Sequence, residues 1–197
     1  MNHLRRSFKV ILIAVVAWFA LALCACGSGP IPTKYLLPSP EFSVKKSLDT
    51  RPLLITRVQL PGYARGAAVC TRERDHTISE SRMAEWASSP RESVIAVLAR
   101  HIEGVGDYTV AQRPVVSSFN ADAGIAVLFD EFVRLPDNSA LLEGQVRIDA
   151  ADGHRVVRFS LRSPATGSAI DSYMLAKSNA LADLARLIDA QLSEFGQ

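Results

Sequence analysis

Two alternating runs separated by Asp152-Gly153 constrain this chain more than anything else in it. Leu142, Gly144, Val146 and Ile148 alternate with Glu143, Gln145, Arg147 and Asp149. Val157, Phe159 and Leu161 then alternate with Arg158, Ser160 and Arg162. Side chains on a strand change face at every residue, so each run has an apolar face and a polar face. Asp-Gly is a strong signal for a tight hairpin, because both central positions must tolerate positive φ. The pattern predicts two antiparallel strands with one face on a core and the other in water.

The rest of the chain extends that hairpin into a sheet with helices. Residues 124–134 are apolar on both faces at their centre (Ile125, Val127, Leu128, Phe129), as a central strand requires, and Pro136-Asp137-Asn138 is a turn. Residues 52–60 read as a strand ended by Pro61-Gly62. Residues 67–71 and 76–78 read as short strands around the charged turn Arg72-Glu73-Arg74-Asp75, and 108–112 as another strand. Ser88 or Ser89, Pro90 and Glu92 mark a helix start, followed by Val94, Leu98, His101 and Ile102 at helical spacing until Gly104 and Gly106. Residues 168–195 contain no Pro or Gly, and Met174, Leu181, Leu184, Ile188, Leu192 and Phe195 share one side of a helix. The order β-β-β-α-β-β-β-β-α predicts an α/β (α+β) fold: a two-layer sandwich with a mixed, mainly antiparallel sheet and two helices on one face.

The start of the chain belongs to a different environment. Arg5, Arg6 and Lys9 precede an apolar run too short for a membrane span, which is the layout of a secretory signal peptide. Leu23-Cys24-Ala25-Cys26 fits a lipobox, with Ala25 at the cleavage position and Cys26 as the lipidated residue. Cys24 is a poorer candidate because Leu23 before it is too large for the cleavage pocket. The expected division is a lipoprotein signal peptide at 1–25, a lipidated tether and linker at 26–51, and one domain at 52–197. Gly27 follows the cysteine instead of an Asp that would retain the protein at the inner membrane. The expectation is therefore a lipid anchor on the periplasmic face of the outer membrane. A triacylated cysteine carries more than the two chains that stable anchoring requires.

Charge and cysteine content narrow the function. Removing the basic leader leaves a nearly neutral chain with Lys and Arg interleaved among Asp and Glu, so no basic stripe is available for nucleic acid. With Cys24 removed and Cys26 lipidated, Cys70 stands alone and is expected as a small buried side chain. No His-x-x-x-His or Cys-x-x-Cys spacing exists, so neither metal nor cofactor is expected. Gly62-x-x-x-Gly66 lacks the Lys-Ser/Thr of a P-loop, and Ser117-Ser118 has no motif around it. Asp130 and Glu131 are adjacent on a strand and point to opposite faces, so they cannot work together as acid and base. Nothing in this pattern supports an enzyme. Trp86, just before the first helix, reads either as a core plug at the helix entry or as an aromatic anchor at an interface.

Taken in order, Cys26-Gly-Ser-Gly, Tyr35-Leu-Leu-Pro38, Leu54-Ile-Thr-Arg-Val-Gln-Leu-Pro61-Gly-Tyr63 and Glu85-Trp86-Ala87-Ser88-Ser89-Pro90 resemble the PqiC-like auxiliary lipoproteins of ABC-type, MCE-dependent intermembrane lipid transport. The later Val127-x-x-x-Glu131-Phe132 and the hairpin at 142–159 are similar too. The extra residue before Pro90, Cys70 and the charged turn at 72–75 depart from the family's pattern. The resemblance implies a non-catalytic lipoprotein that contacts an MCE-domain protein and, through it, an ABC permease and ATPase. It leaves homo-oligomeric assembly open. It marks Pro61, Tyr63 and Trp86 as candidates for the partner interface. The alternative is a periplasmic lipoprotein adaptor of another envelope machine, such as a cell-wall synthase activator or an outer-membrane assembly factor. A lipid-anchored hydrolase is disfavoured by the missing nucleophile–base pair.

Overall fold

Ala123–Arg134 (β6) organises the sheet, because it is long enough to serve two different neighbours along one edge. In the computed structural model, residues 30–41, 50–112 and 119–194 are described. The lipobox, the tether residues before 30, part of the linker, Ser117-Ser118 and Phe195 lie outside them. The described residues from Pro32 onward form one compact unit.

Among the described residues, eight strands make one open mixed sheet: β1 (Thr33–Tyr35), β2 (Arg51–Gln59), β3 (Ala68–Arg72), β4 (Ile78–Trp86), β5 (Tyr108–Gln112), β6, β7 (Ala140–Ala150) and β8 (Gly153–Ser163). The N-terminal half of β6 pairs in parallel with β2, from Leu53↔Ala123 to Gln59↔Leu128. Its C-terminal end meets β3 at Thr71↔Arg134. The other edge of β6 carries β7, antiparallel, and β7 carries β8 in continuous register from Ala140↔Ser163 to Ala150↔Gly153. β5 lies outside β2, and β1 lies outside β4, both in parallel. The expected meander of β6, β7 and β8 is present.

Helix α1 (Pro90–Val105) packs against β2 and β5, and helix α2 (Ile170–Glu194) against β7 and β8. The two helices also pack on each other, and residues of both enter one apolar core with Leu53, Ile55, Ile125, Val127, Val146 and Ile148. Burying an aliphatic side chain of this size contributes about 1.5–3 kcal/mol, so the shared core is what holds the two layers together.

Several details differ from the sequence reading. β4 is nine residues long and runs up to Trp86, whereas the sequence suggested a short strand at 76–78. Its middle, Ser79–Arg82, is polar and carries no apolar alternation, because β4 flanks the core between β1 and β3. Ser89 is the N-cap of α1 but makes no side-chain capping bond. Ser88 Oγ instead bonds Ser93 Oγ at 2.8 Å. Gly104 is inside the helix, and Gly106 closes it by donating to Ile102 O at 3.3 Å. At the Asp152-Gly153 turn only Gly153 has positive φ. Segment 33–37 is part of the folded unit: β1 adds to the sheet and Leu37 is buried in the core.

Candidate functional site

The sequence places Tyr63 and Trp86 far apart, and the fold brings both onto Phe132. A β-bulge between Phe129 and Glu131 makes this possible. Strict alternation from Phe129 would aim Glu131 at the core. The register shift turns Phe132 inward instead, where its ring packs edge-on to Phe129 at 5.4 Å. Phe129 in turn meets Phe159 at 5.6 Å, and Trp86 stacks on Phe132 at 6.1 Å. Opposite the bulge, Gly144 has φ 158, and a Cβ there would lie 2.0 Å from Leu128 O. Only glycine allows the β6 backbone that close.

On the outer side of the bulge, a short 3-10 turn (Gly62–Arg65) follows Pro61. It aims Tyr63 across β6. The Tyr63 hydroxyl donates to Glu131 Oε2 at 2.9 Å and accepts from Phe132 N at 3.1 Å. Phe132 N is one of the backbone donors near the bulge, so the phenol supplies it a partner. Glu131 Oε1 accepts from Arg72 Nη1 at 3.1 Å, with both side chains about three-quarters buried. Burial, and then the adjacent Glu131, push the Tyr63 phenol well up, so it stays a donor across the physiological range. Cys70 Sγ donates to Tyr63 O at 3.2 Å and is buried, with its thiol pushed up chiefly by burial.

On the inner side, α2 inserts Lys177 among the rings. Its Nζ lies 3.7 Å from the Phe132 centroid, 4.7 Å from Tyr173 and 5.1 Å from Trp86. Lys177 is 2% exposed, and among the described residues no carboxylate pairs with it. Desolvation pushes its amine well below the usual lysine range, with Cys70 acting weakly the other way. The neighbouring Tyr173 hydroxyl is fully buried without a hydrogen-bond partner, and burial raises its phenol well above the usual value.

Elsewhere the polar contacts are structural. His101 Nε2 and Ser178 Oγ lie 3.2 Å apart and join the two helices; burial lowers the imidazole pKa. Tyr108 OH donates to Asp189 Oδ1 at 2.8 Å and is pushed up to about 12, first by burial and then by Asp189. The charged turn at 72–75 is closed locally: Asp75 Oδ1 accepts from Thr77 N at 3.1 Å, and His76 takes φ 67. It borders an open cup of about 400 Å³ that includes Arg72, Arg74, Asp137 and Arg162. Two of those arginines are already paired, Arg72 with Glu131 and Arg162 with Asp137.

Of the residues singled out from sequence, Pro61 is half-buried as the cap of the 3-10 turn, and Tyr63 is half-buried against Val133, Leu135 and Leu141. Trp86 is 6% exposed and lies in the core. Cys26 lies outside the described residues. From sequence, Glu131 stands only as one of an acid pair and within a family-like phrase, and Lys177 is passed over. A signal for Lys177 existed: it sits three residues after Met174 and four before Leu181, on the apolar side of the helix. Among the described residues no group of His, Cys, Asp and Glu is placed to hold a metal, and no helix is long and apolar enough to cross a membrane.

These features define a small two-layer α/β domain whose charged groups near the core are organised around rings and a strand bulge. The chain belongs to the family of ABC-type transport auxiliary lipoprotein components, whose family model matches residues 35–189. Two crystal structures share the fold. One is of an uncharacterized protein, with a TM-score of 0.68 and 17% identity, over 83% of this chain and 99% of that one. The other is protein XCC0632 from Xanthomonas campestris, of family DUF330, with a TM-score of 0.59 and 16% identity, over 83% of this chain and 96% of that one. No curated protein matches the chain.

Proposed function

We propose that the mature protein is held by lipid on Cys26 at the periplasmic face of the outer membrane, where it serves a transport system as a non-catalytic binding subunit. The partner in this reading is an MCE-domain protein that links it to an ABC permease and ATPase, and the cargo is lipid moving between membranes. The observation that carries the reading is the family match across residues 35–189. The leader and lipobox support the anchor, and the phrases around Pro61 and Trp86 support the partner.

Within this reading, Pro61 and Tyr63 supply the contact surface, since both are partly exposed on a rigid turn. Little side-chain entropy is lost when such a turn binds. Trp86 acts from behind, by holding Phe132 and hence the bulge that Tyr63 bonds to.

The test has two parts. Full-length protein is purified from detergent-solubilised membranes of its host, and the MCE-domain protein is sought in the eluate with and without Pro61→Ala. Retention of the partner, weakened by the substitution, is the expected result. Labelled palmitate and membrane fractionation of Cys26→Ser examine the anchor. Incorporation of label by that variant would sink the lipobox reading. Failure of the unmodified protein to retain any MCE-domain protein would leave the adaptor of another envelope machine as the better reading.

A further inference from the structure

We infer that the β1 edge of the domain lies against the bilayer that carries the anchor, with Leu36 and the groove beside it seated in the interfacial layer. This rests on the lipid anchor at Cys26 proposed above.

Six residues lie between Cys26 and Thr33, the first residue of β1, so seven Cα-to-Cα steps join the two. Fully extended they reach at most about 25 Å. Roughly 5–8 Å of that is used in crossing the headgroup layer. A domain of this length has a radius of gyration of about 15 Å and is therefore about 40 Å across. The tether is thus shorter than the domain is wide, and the point where it joins must stay close to the lipid.

That point is rigid. β1 pairs with β4 through Thr33↔Ala84, Lys34↔Glu85 and Tyr35↔Trp86, and Ala87 N donates to Tyr35 O at 2.8 Å. Leu37, two residues on, is buried in the core. The tether therefore joins the domain at a fixed edge strand, and its short length keeps the β1 edge near the membrane.

The surface found there suits an interface between water and hydrocarbon. Leu36 is 67% exposed. It borders an open groove of about 310 Å³ whose walls include Leu37, Ala96 and Val97, with Ser88, Ser93 and the carboxylate of Glu92 also along it. Arg100 stands at the rim with Nη1 donating to Ser39 Oγ at 3.0 Å, and Lys34 is exposed on β1. Apolar side chains flanked by long cations match the headgroup boundary, where the cations reach phosphate and the apolar groups leave water. One leucine would bind no bilayer by itself. The acyl chains supply attachment, and this face sets orientation. Val156 is comparably apolar and 51% exposed, but it lies on β8, at the opposite side of the sheet from β1.

The experiment uses full-length acylated protein reconstituted into phosphatidylethanolamine–phosphatidylglycerol vesicles. An environment-sensitive fluorophore is attached through Leu36→Cys or Val156→Cys; buried Cys70 is left in place. The expected result is a severalfold rise in emission at position 36, quenched by headgroup spin-labelled lipid, with no change at 156. A flexible Gly/Ser insertion of about 20 residues between Ser28 and Gly29 should reduce the quenching at 36, because such a linker behaves as a random coil and frees the domain. Equal quenching at both positions, or none at 36, in protein that floats with the vesicles and carries acyl label overturns the inference while leaving the anchor intact. Protein that neither floats nor carries label overturns the anchor, and this orientation with it.

Discussion

The side-chain nitrogen of Lys177 lies 3.7 Å from the ring centroid of Phe132, and Trp86 and Tyr173 close over it from two other directions. A lysine this deep would ordinarily have an acid beside it. Among the described residues no acid pairs with it, and the faces of three aromatic rings stand there instead.

The consequence is a dependence of stability on pH. The folded-state pKa of Lys177 is depressed, whereas the unfolded chain holds the proton up to about 10.4. Between those two values the unfolded state binds more protons than the folded state, so stability rises with pH across that window and falls as the amine must charge inside the core. Lys177→Met removes the desolvation cost and should stabilise the domain at neutral pH by about 1–3 kcal/mol. It should also flatten the rise with pH that ends at about pH 10.4, where the unfolded chain loses the proton. Urea melts of both proteins over that range measure this; parallel pH profiles would show that Lys177 is not the titrating group.

Trp86→Ala should cost roughly 3–5 kcal/mol, as for other large-to-small changes in a core. The ring is 6% exposed and stacks on Phe132, so the cavity has little chance to collapse. Denaturant midpoints give the answer. An unchanged midpoint with lost partner binding would make Trp86 an interface residue instead.

Tyr63→Phe keeps the ring and removes the hydroxyl that serves Glu131 and Phe132 N. A loss of about 1–2 kcal/mol is expected, because a buried backbone donor and a carboxylate lose their partner together. Combining it with Glu131→Gln should give less than the sum of the two single effects, since both act on one network. Strict additivity in that double-mutant cycle would separate the two residues.

Gly144→Ala should be far more damaging than Gly153→Ala, although both positions have positive φ. A Cβ at Gly144 meets the Leu128 carbonyl oxygen at 2.0 Å, whereas at Gly153 it meets nothing. The cost at Gly153 should stay near the 1–3 kcal/mol typical of a strained backbone. At Gly144 the β6–β7 register must also give way. Thermal melts of the two variants rank them, and equal losses would mean that backbone strain alone governs both sites.

The elements read best from sequence were those whose pattern follows directly from local geometry. The β7–β8 hairpin shows its alternation in full, and α1 shows its proline start and its apolar spacing. The polar run Ser79–Arg82 hides the length of β4, because only its far end, Ala84 and Trp86, enters the core. From sequence, Glu131 is only one of two adjacent acids on a strand. Its bonds to Tyr63 and Arg72 depend on residues 68 and 59 positions away, which only chain folding brings together.

The sequence by itself determined the number of layers, most strand positions and the two helices, because these follow from periodicities of two and about 3.6 residues along a local stretch. It also carried the motif for lipidation and the phrases that resemble the auxiliary lipoproteins. Only the tertiary structure decided that β6 divides one edge between β2 and β3, that a bulge turns Phe132 inward, and that Trp86 and Lys177 meet there. Those outcomes depend on which distant surfaces exclude water together, and no local pattern encodes the partner across that contact.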